Sequence, residues 1–160
     1  MSPALDRIMI GELLDAVETS ARRLRESFAV GKQAFLRDPL RVAAGERFIQ
    51  IAAQAMIDVG SRLIQALRLQ MPSGYAQIAD RLSEAKVIDA ELAGRLQRLF
   101  ALRNLLVHGY LKVDPGRLYD DATAGLSDFE AFVRSIKSFL AASGGGASSP
   151  PAGRRSAPDA

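Results

Sequence analysis

The chain lacks cysteine and tryptophan and holds a single histidine in 160 residues, with seven phenylalanines and three tyrosines as its other aromatics. Without cysteine, no disulfide framework or thiolate metal site can form, and a reducing compartment is expected. One imidazole alone cannot build a His/Cys metal cluster. No apolar run approaches the roughly 18 residues of a membrane-spanning helix. The start, MSPALDRIMI, has neither the basic region nor the long apolar run of a secretion signal. The expectation is a cytoplasmic protein with no membrane partner. There is no phosphate-binding glycine loop, since Gly144, Gly145 and Gly146 belong to a tail, and no defensible Ser-His-Asp arrangement. No cofactor or metal is expected.

What is present is a globular profile, 48% hydrophobic and 24% charged. With so few aromatics, the core must be built from Leu, Ile, Val and Ala, an alphabet that suits packed helices. The formal net charge is +3. Residues 143–160 hold Arg154, Arg155 and Asp159, which leaves 19 basic and 17 acidic residues in 1–142. That excess is too small for nucleic-acid binding by bulk charge, so a binder would have to concentrate its arginines locally.

Hydrophobic periodicity predicts helices throughout. The first runs from about Ala4 to Phe28, with Leu5, Ile8, Met9, Leu13, Val17, Ala21, Leu24 and Phe28 inward and a Glu18–Arg22 pair on the polar face. Gly31 breaks it, and a short helical turn follows at Lys32–Leu36. Asp38-Pro39 is a strong start signal, a capping residue before a proline at the first helical position. The helix it opens reaches about Leu69, with Leu40, Ala44, Phe48, Ile51, Ala55, Val59, Leu63 and Ala66 on one face. Ala43, Gly45, Ala52, Ala53 and Gly60 are small enough to let neighbours approach. A shorter helix spans Tyr75 to Lys86, another runs from the Asp89 cap to His108, and Asp114-Pro115 opens a last one to about Ala142. Residues 143–160 are rich in Gly, Ser, Pro and Ala and read as a disordered tail. The fold class is therefore all-α. It is read as an up-and-down bundle of four main helices plus a short helix, one domain over residues 1–142.

The most informative stretch is Arg103-Asn104-Leu105-Leu106-Val107-His108-Gly109-Tyr110. Leu92, Leu96, Leu99, Arg103, Leu106 and Tyr110 step by four and three, the spacing of a packed seam, and Arg103 occupies one of its positions. Leu102, Leu105 and Val107 fill much of the rest of the circumference, which marks either a central helix or one covered by a second subunit. A guanidinium there needs a carboxylate, carbonyls or a phosphate. One reading is a structural pair with an acid such as Asp58; the other is a site. On an ideal helix of about 3.6 residues per turn, His108 lies about 140° around from Arg103, while Asn104 is on the histidine's face. Gly109 is placed for a left-handed cap, and Tyr110 for a packed ring with a wet hydroxyl. A lone histidine at a helix end is either a capping residue or a proton-exchanging group.

These residues resemble the motif of the HEPN superfamily: an arginine followed by a polar residue, and a histidine after four intervening positions, here Arg103, Asn104 and His108. Extension to Tyr110 makes the longer pattern of its HepT-like branch, which the stretches RNLLVHGYLKVD and DPLRVAAGERFIQIAAQAMIDVGSRLI also resemble. The resemblance implies a HEPN-like helical bundle that forms a homodimer, with the motifs of both subunits at a shared cleft. It implies a toxin of a toxin–antitoxin pair acting as a metal-independent endoribonuclease on RNA. It also implies an MntA-type nucleotidyltransferase antitoxin as partner, which silences the toxin by attaching AMP to the tyrosine matched by Tyr110. In that scheme Arg103 and His108 are catalytic and Asn104 orients the histidine or the phosphate. The alternative is a non-catalytic helical module that binds a nucleotide or a partner through the same groove.

Overall fold

Four aspartates open four of the helices. In the computed structural model, which describes residues 5–108 and 113–144, each Asp carboxylate accepts from the backbone N–H three residues on. Asp6 takes Met9 N at 2.9 Å, Asp38 takes Arg41 N at 3.2 Å, Asp89 takes Leu92 N at 2.7 Å and Asp114 takes Arg117 N at 2.7 Å. Each satisfies a donor that the first helical turn leaves without a partner. The helices are α1 (Arg7–Phe28), α2 (Lys32–Arg37), α3 (Pro39–Ala66), α4 (Tyr75–Glu84), α5 (Ala90–Val107) and α6 (Pro115–Gly144). Among the described residues every regular element is a helix: four are long and two are short, one short helix more than the four-plus-one reading. No helix of these residues is long and apolar enough to cross a membrane.

Helix ends depart from the sequence reading for local reasons. The Asp6 cap starts α1 three residues later than periodicity suggests. Helices α3 and α4 stop at Ala66 and Glu84, before Leu69 and Lys86, because Arg68 (φ 57°) and Lys86 (φ 61°) turn left-handed. Leu69 N then donates to Ile64 O at 3.0 Å and Val87 N to Leu82 O at 2.9 Å, the closing bonds of a Schellman end. Gly31 (φ 88°) makes the turn between α1 and α2 in a conformation that L side chains rarely adopt. Helix α6 runs two residues past Ala142, through Gly144. The remainder of the tail lies outside the described residues.

Helix α3 is the centre: it packs against all five others. Ala52, Ala53, Met56, Val59, Leu63 and Ile64 are fully buried. The single apolar face expected for it was too narrow, because Gly45, Ile49, Ile57 and Gly60 are buried as well. At its first turn, Leu40 is 83% exposed, and Ala43 also faces solvent. Gly60 is required by close approach, since a Cβ there would lie 2.5 Å from Ile78 Cγ2 of α4. Helix α1 buries Ile10, Leu14, Val17, Ala21, Leu24 and Phe28, while Ile8, expected inward, is exposed. Glu18 reaches Lys137 of α6 at 2.9 Å, the partner it takes in place of Arg22, and Arg25 pairs with Glu130 beside it. Phe28 meets Phe35 and Tyr119 edge to face, and Phe35 and Tyr119 are tilted to each other, with centroids 4.9–5.3 Å apart; Tyr119 OH donates to Phe28 O at 3.1 Å. This cluster ties α1, α2 and α6 together at one end.

Candidate functional site

Helix α5 is held by its ends. At its N-terminal half Arg95 bonds Asp128 of α6 at 2.7 Å, and that hydrogen bond holds the guanidinium's pKa above its ordinary value. Leu92, Ala93, Leu96, Phe100 and Leu106 are buried. Toward the C-terminus, Gln50 of α3 donates its amide to the Leu106 carbonyl at 3.3 Å. That carbonyl lies in the last turn, where the helix cannot supply a donor. The helix is not central. Its apolar end leaves Leu105 46% and Val107 48% exposed. Of the two explanations for a helix apolar nearly all round, centrality fails, because α3 holds that place.

Arg103 is half-buried in this last stretch. Its Nη1 donates to Asn104 Oδ1 at 3.2 Å, and its guanidinium carbon lies 5.4 Å from the centroid of the Tyr75 ring. Its Nε is shut off from solvent with no hydrogen-bond partner among the described residues. Among the described residues no ion pair includes Arg103. Asp58, the acid expected as a structural partner, instead accepts from Gln54 Nε2 at 2.8 Å. The buried Arg–carboxylate pair of a purely structural reading is thus absent there. A buried cation without a counter-charge is costly, and an incoming anion removes that cost.

His108 is the C-cap of α5 rather than part of it, with φ −82° and ψ 69°, and its backbone N–H donates to Asn104 O at 3.3 Å. Its ring is exposed. The φ and the intact bond to Asn104 O keep His108 in register with α5, and its ψ turns the chain that follows away from the helix axis. Asn104 therefore touches both neighbours, Arg103 through its side chain and His108 through its backbone. Gly109 and Tyr110 lie outside the described residues.

Tyr75 and, apart from Asp58, a polar stripe on α3 were missed in the sequence. Tyr75, the first residue of α4, supplies an aromatic face for Arg103. Glu46, Gln50, Gln54 and Asp58 form a polar stripe at steps of four along α3, partly exposed among buried Ile, Ala and Met. The step of four in an otherwise apolar helix was a visible signal for the stripe. Burial raises the Glu46 carboxyl above the ordinary carboxylate range. A cavity of about 640 Å³ lies away from this site, lined by Lys86, Asp89, Arg95, Arg134 and Ser138 near the N-terminal end of α5. Among the described residues no three His, Cys, Asp or Glu side chains gather as a metal site.

An arginine and a histidine thus lie at the end of one bundle helix with an amide between them, on a scaffold whose described regular elements are all helices. Residues 17–136 match the ribonuclease HepT-like family, and the chain belongs to that family. It is 28% identical over 95 residues to the tRNA nuclease HepT of Aphanizomenon flos-aquae, covering 59% of this chain and 65% of that protein. Over 95 residues it is 30% identical to YutE of Bacillus subtilis, covering 59% of this chain and 66% of that one. The alignments thus span just under two thirds of these relatives. The solved structure of YutE, described as a cytosolic protein, superimposes with a TM-score of 0.79 at 26% identity, covering 90% of this chain and 96% of that one. A tri-AMPylated Shewanella oneidensis HEPN toxin, solved in complex with its MNT antitoxin, has a TM-score of 0.75 at 22% identity, covering 81% of this chain and 97% of that one. The fold is HEPN-like.

Proposed function

We propose that this protein is a ribonuclease toxin: a metal-independent endoribonuclease acting as a homodimer and silenced by a nucleotidyltransferase antitoxin. The observation that carries the reading is the state of Arg103, a half-buried guanidinium in no ion pair among the described residues, in the last stretch of the helix that His108 caps. RNA carries its own nucleophile. The 2′-OH attacks the adjacent phosphorus, the 5′-oxygen leaves, and a cyclic phosphate remains. One group must take the 2′ proton and another must give a proton to the 5′-oxygen. Two His108 side chains, one from each subunit, fill those roles. Arg103 holds the non-bridging oxygens, whose charge grows in the transition state. Asn104 keeps that guanidinium in place through the bond it already makes. The exposed apolar end of α5 is the surface that brings the two half-sites together. Tyr110, two residues past His108, carries the silencing AMP, whose bulk and negative charge at the mouth of the cleft repel RNA.

The test is cleavage of RNA by purified protein in excess chelator. Wild type cuts; Arg103→Ala and His108→Ala lose at least about 100-fold in rate while keeping their helicity. Cleavage by His108→Ala at the wild-type rate would sink the catalytic assignment. RNA binding that depends on Arg103 without any cleavage would establish the non-catalytic module instead. Incubation with the antitoxin and ATP should add one or more AMP units to a peptide containing Tyr110, and a mass shift confined to other peptides would exclude that residue as the switch.

A further inference from the structure

Two buried side-chain atoms among the described residues lack a hydrogen-bond partner, and they are complementary: Gln54 Oε1, an acceptor, and Arg103 Nε, a donor. Their helices pack together, and three contacts set the register. Leu106 of α5 sits at Gln50 of α3. Arg103 sits against Tyr75, and one turn further along α4, Ile78 meets α3 at Gly60. Moving along α5 from Leu106 to Arg103 therefore moves along α3 from Gln50 toward Gly60. Gln54, one turn from Gln50 in that direction, comes opposite Arg103. Its amide is not free to turn, because Nε2 donates to Asp58 Oδ1 at 2.8 Å, which leaves Oε1 as the free end.

We infer that Gln54 is a positioning residue for Arg103, with Asp58 as the anchor that aims its carbonyl. An anion that draws the two Nη groups forward brings Nε–H to donate to Oε1. Arg103 then has Asn104 on one side, Tyr75 against its face and Gln54 behind it. The acceptor's neutrality matters. A carboxylate at this position would hold the guanidinium equally well but cancel the charge that a phosphate needs; an amide fixes the geometry and leaves the full positive charge for the ligand. Packing between α3 and α5 alone would need neither the acceptor nor the Asp58 anchor.

The inference concerns the site proposed for RNA cleavage, and its test separates the two. Hydrogen exchange of the Arg103 Nε–H is followed by NMR on the full chain, with inorganic phosphate as the probe. Phosphate should slow exchange at least about tenfold in wild type and have no effect in Gln54→Met, which keeps the length and loses the acceptor. In Gln54→Glu the exchange should already be slow without phosphate. Equal slowing in wild type and Gln54→Met, or no slowing in wild type, overturns the inference. Asp58→Ala, which frees the amide to turn, must also lose the phosphate effect, and it carries the test if Gln54→Met does not fold. On RNA, Gln54→Met should lower kcat about tenfold with KM within twofold of wild type; an unchanged kcat overturns the positioning role in catalysis. A wild-type chain that cuts no RNA refutes the ribonuclease reading, while the exchange measurement still decides what Gln54 does.

Discussion

The guanidinium of Arg103 lies 5.4 Å from the centroid of the Tyr75 ring, so α4 contributes directly to the candidate site at the end of α5. A cation over an aromatic face at a partly exposed position is stabilised by about 0.5–1 kcal/mol. The ring holds the arginine without neutralising it. Tyr75→Leu should weaken RNA affinity by about two- to fivefold, the equivalent of that energy. Tyr75→Phe, which keeps the ring, should lose less than half as much. Affinities from fluorescence anisotropy with labelled RNA at fixed salt check this, and equal losses in the two variants would mean that the hydroxyl, not the ring face, is what matters.

Glu46 begins the polar stripe of α3, and burial raises its carboxyl above the ordinary range. The folded chain thus binds that proton more tightly than the unfolded chain does. Ionised Glu46 opposes folding at neutral pH, and the opposition fades as the pH falls toward the unfolded carboxylate pKa of about 4.3. Glu46→Gln should therefore melt above wild type at about pH 7 and level with it near pH 4. Thermal melts across that range check the sign, and a gap that stays constant with pH would refute the assignment.

Helix starts were legible because Asp38, Asp89 and Asp114 carry their own signal, a short acceptor directly before the helix. Helix ends were not, because Arg68 and Lys86 take left-handed conformations that sequence rules reserve for glycine. Arg103, Asn104 and His108 stood out as polar residues in an apolar run. Their surroundings did not. Whether Arg103 meets Asp58, Tyr75 or Gln54 depends on how three helices cross, and periodicity reports which face is apolar, not which helix will cover it. Helix α5 was read as a candidate centre from its apolar circumference, yet α3 is the central helix and carries the polar stripe at the site.

Lys86 closes α4 at φ 61°, where its Cβ crowds the backbone. Glycine removes that crowding but adds freedom to the unfolded chain, so the net gain is a fraction of the strain. Lys86→Gly should stabilise the fold by about 0.5–1 kcal/mol, whereas Lys86→Ala, still left-handed, should gain nothing. Urea unfolding with an unchanged m-value is the measurement. A destabilised Lys86→Gly would show that the lysine stem contributes more than its conformation costs.

Leu105 and Val107 are 46% and 48% exposed on the same last turns of α5 that hold Arg103. Exposed apolar side chains are common singly, but these two flank the buried Leu106 on the stretch between the arginine and its histidine. If two copies meet there, each side chain is buried on association, at about 1–2 kcal/mol apiece. Two-fold symmetry makes every substitution count twice. Leu105→Glu with Val107→Glu replaces that gain with opposed carboxylates and should raise the dimer dissociation constant at least about 1000-fold, leaving a monomer at micromolar concentration. The monomer should keep wild-type helicity, since neither residue belongs to the core of its own chain. On the proposed mechanism, in which each subunit supplies one His108, cleavage should fall in parallel with dimer content. Sedimentation equilibrium over a range of concentrations decides it: a double variant that associates as wild type does would place the partner surface elsewhere, and a wild type that is itself monomeric would refute the homodimer.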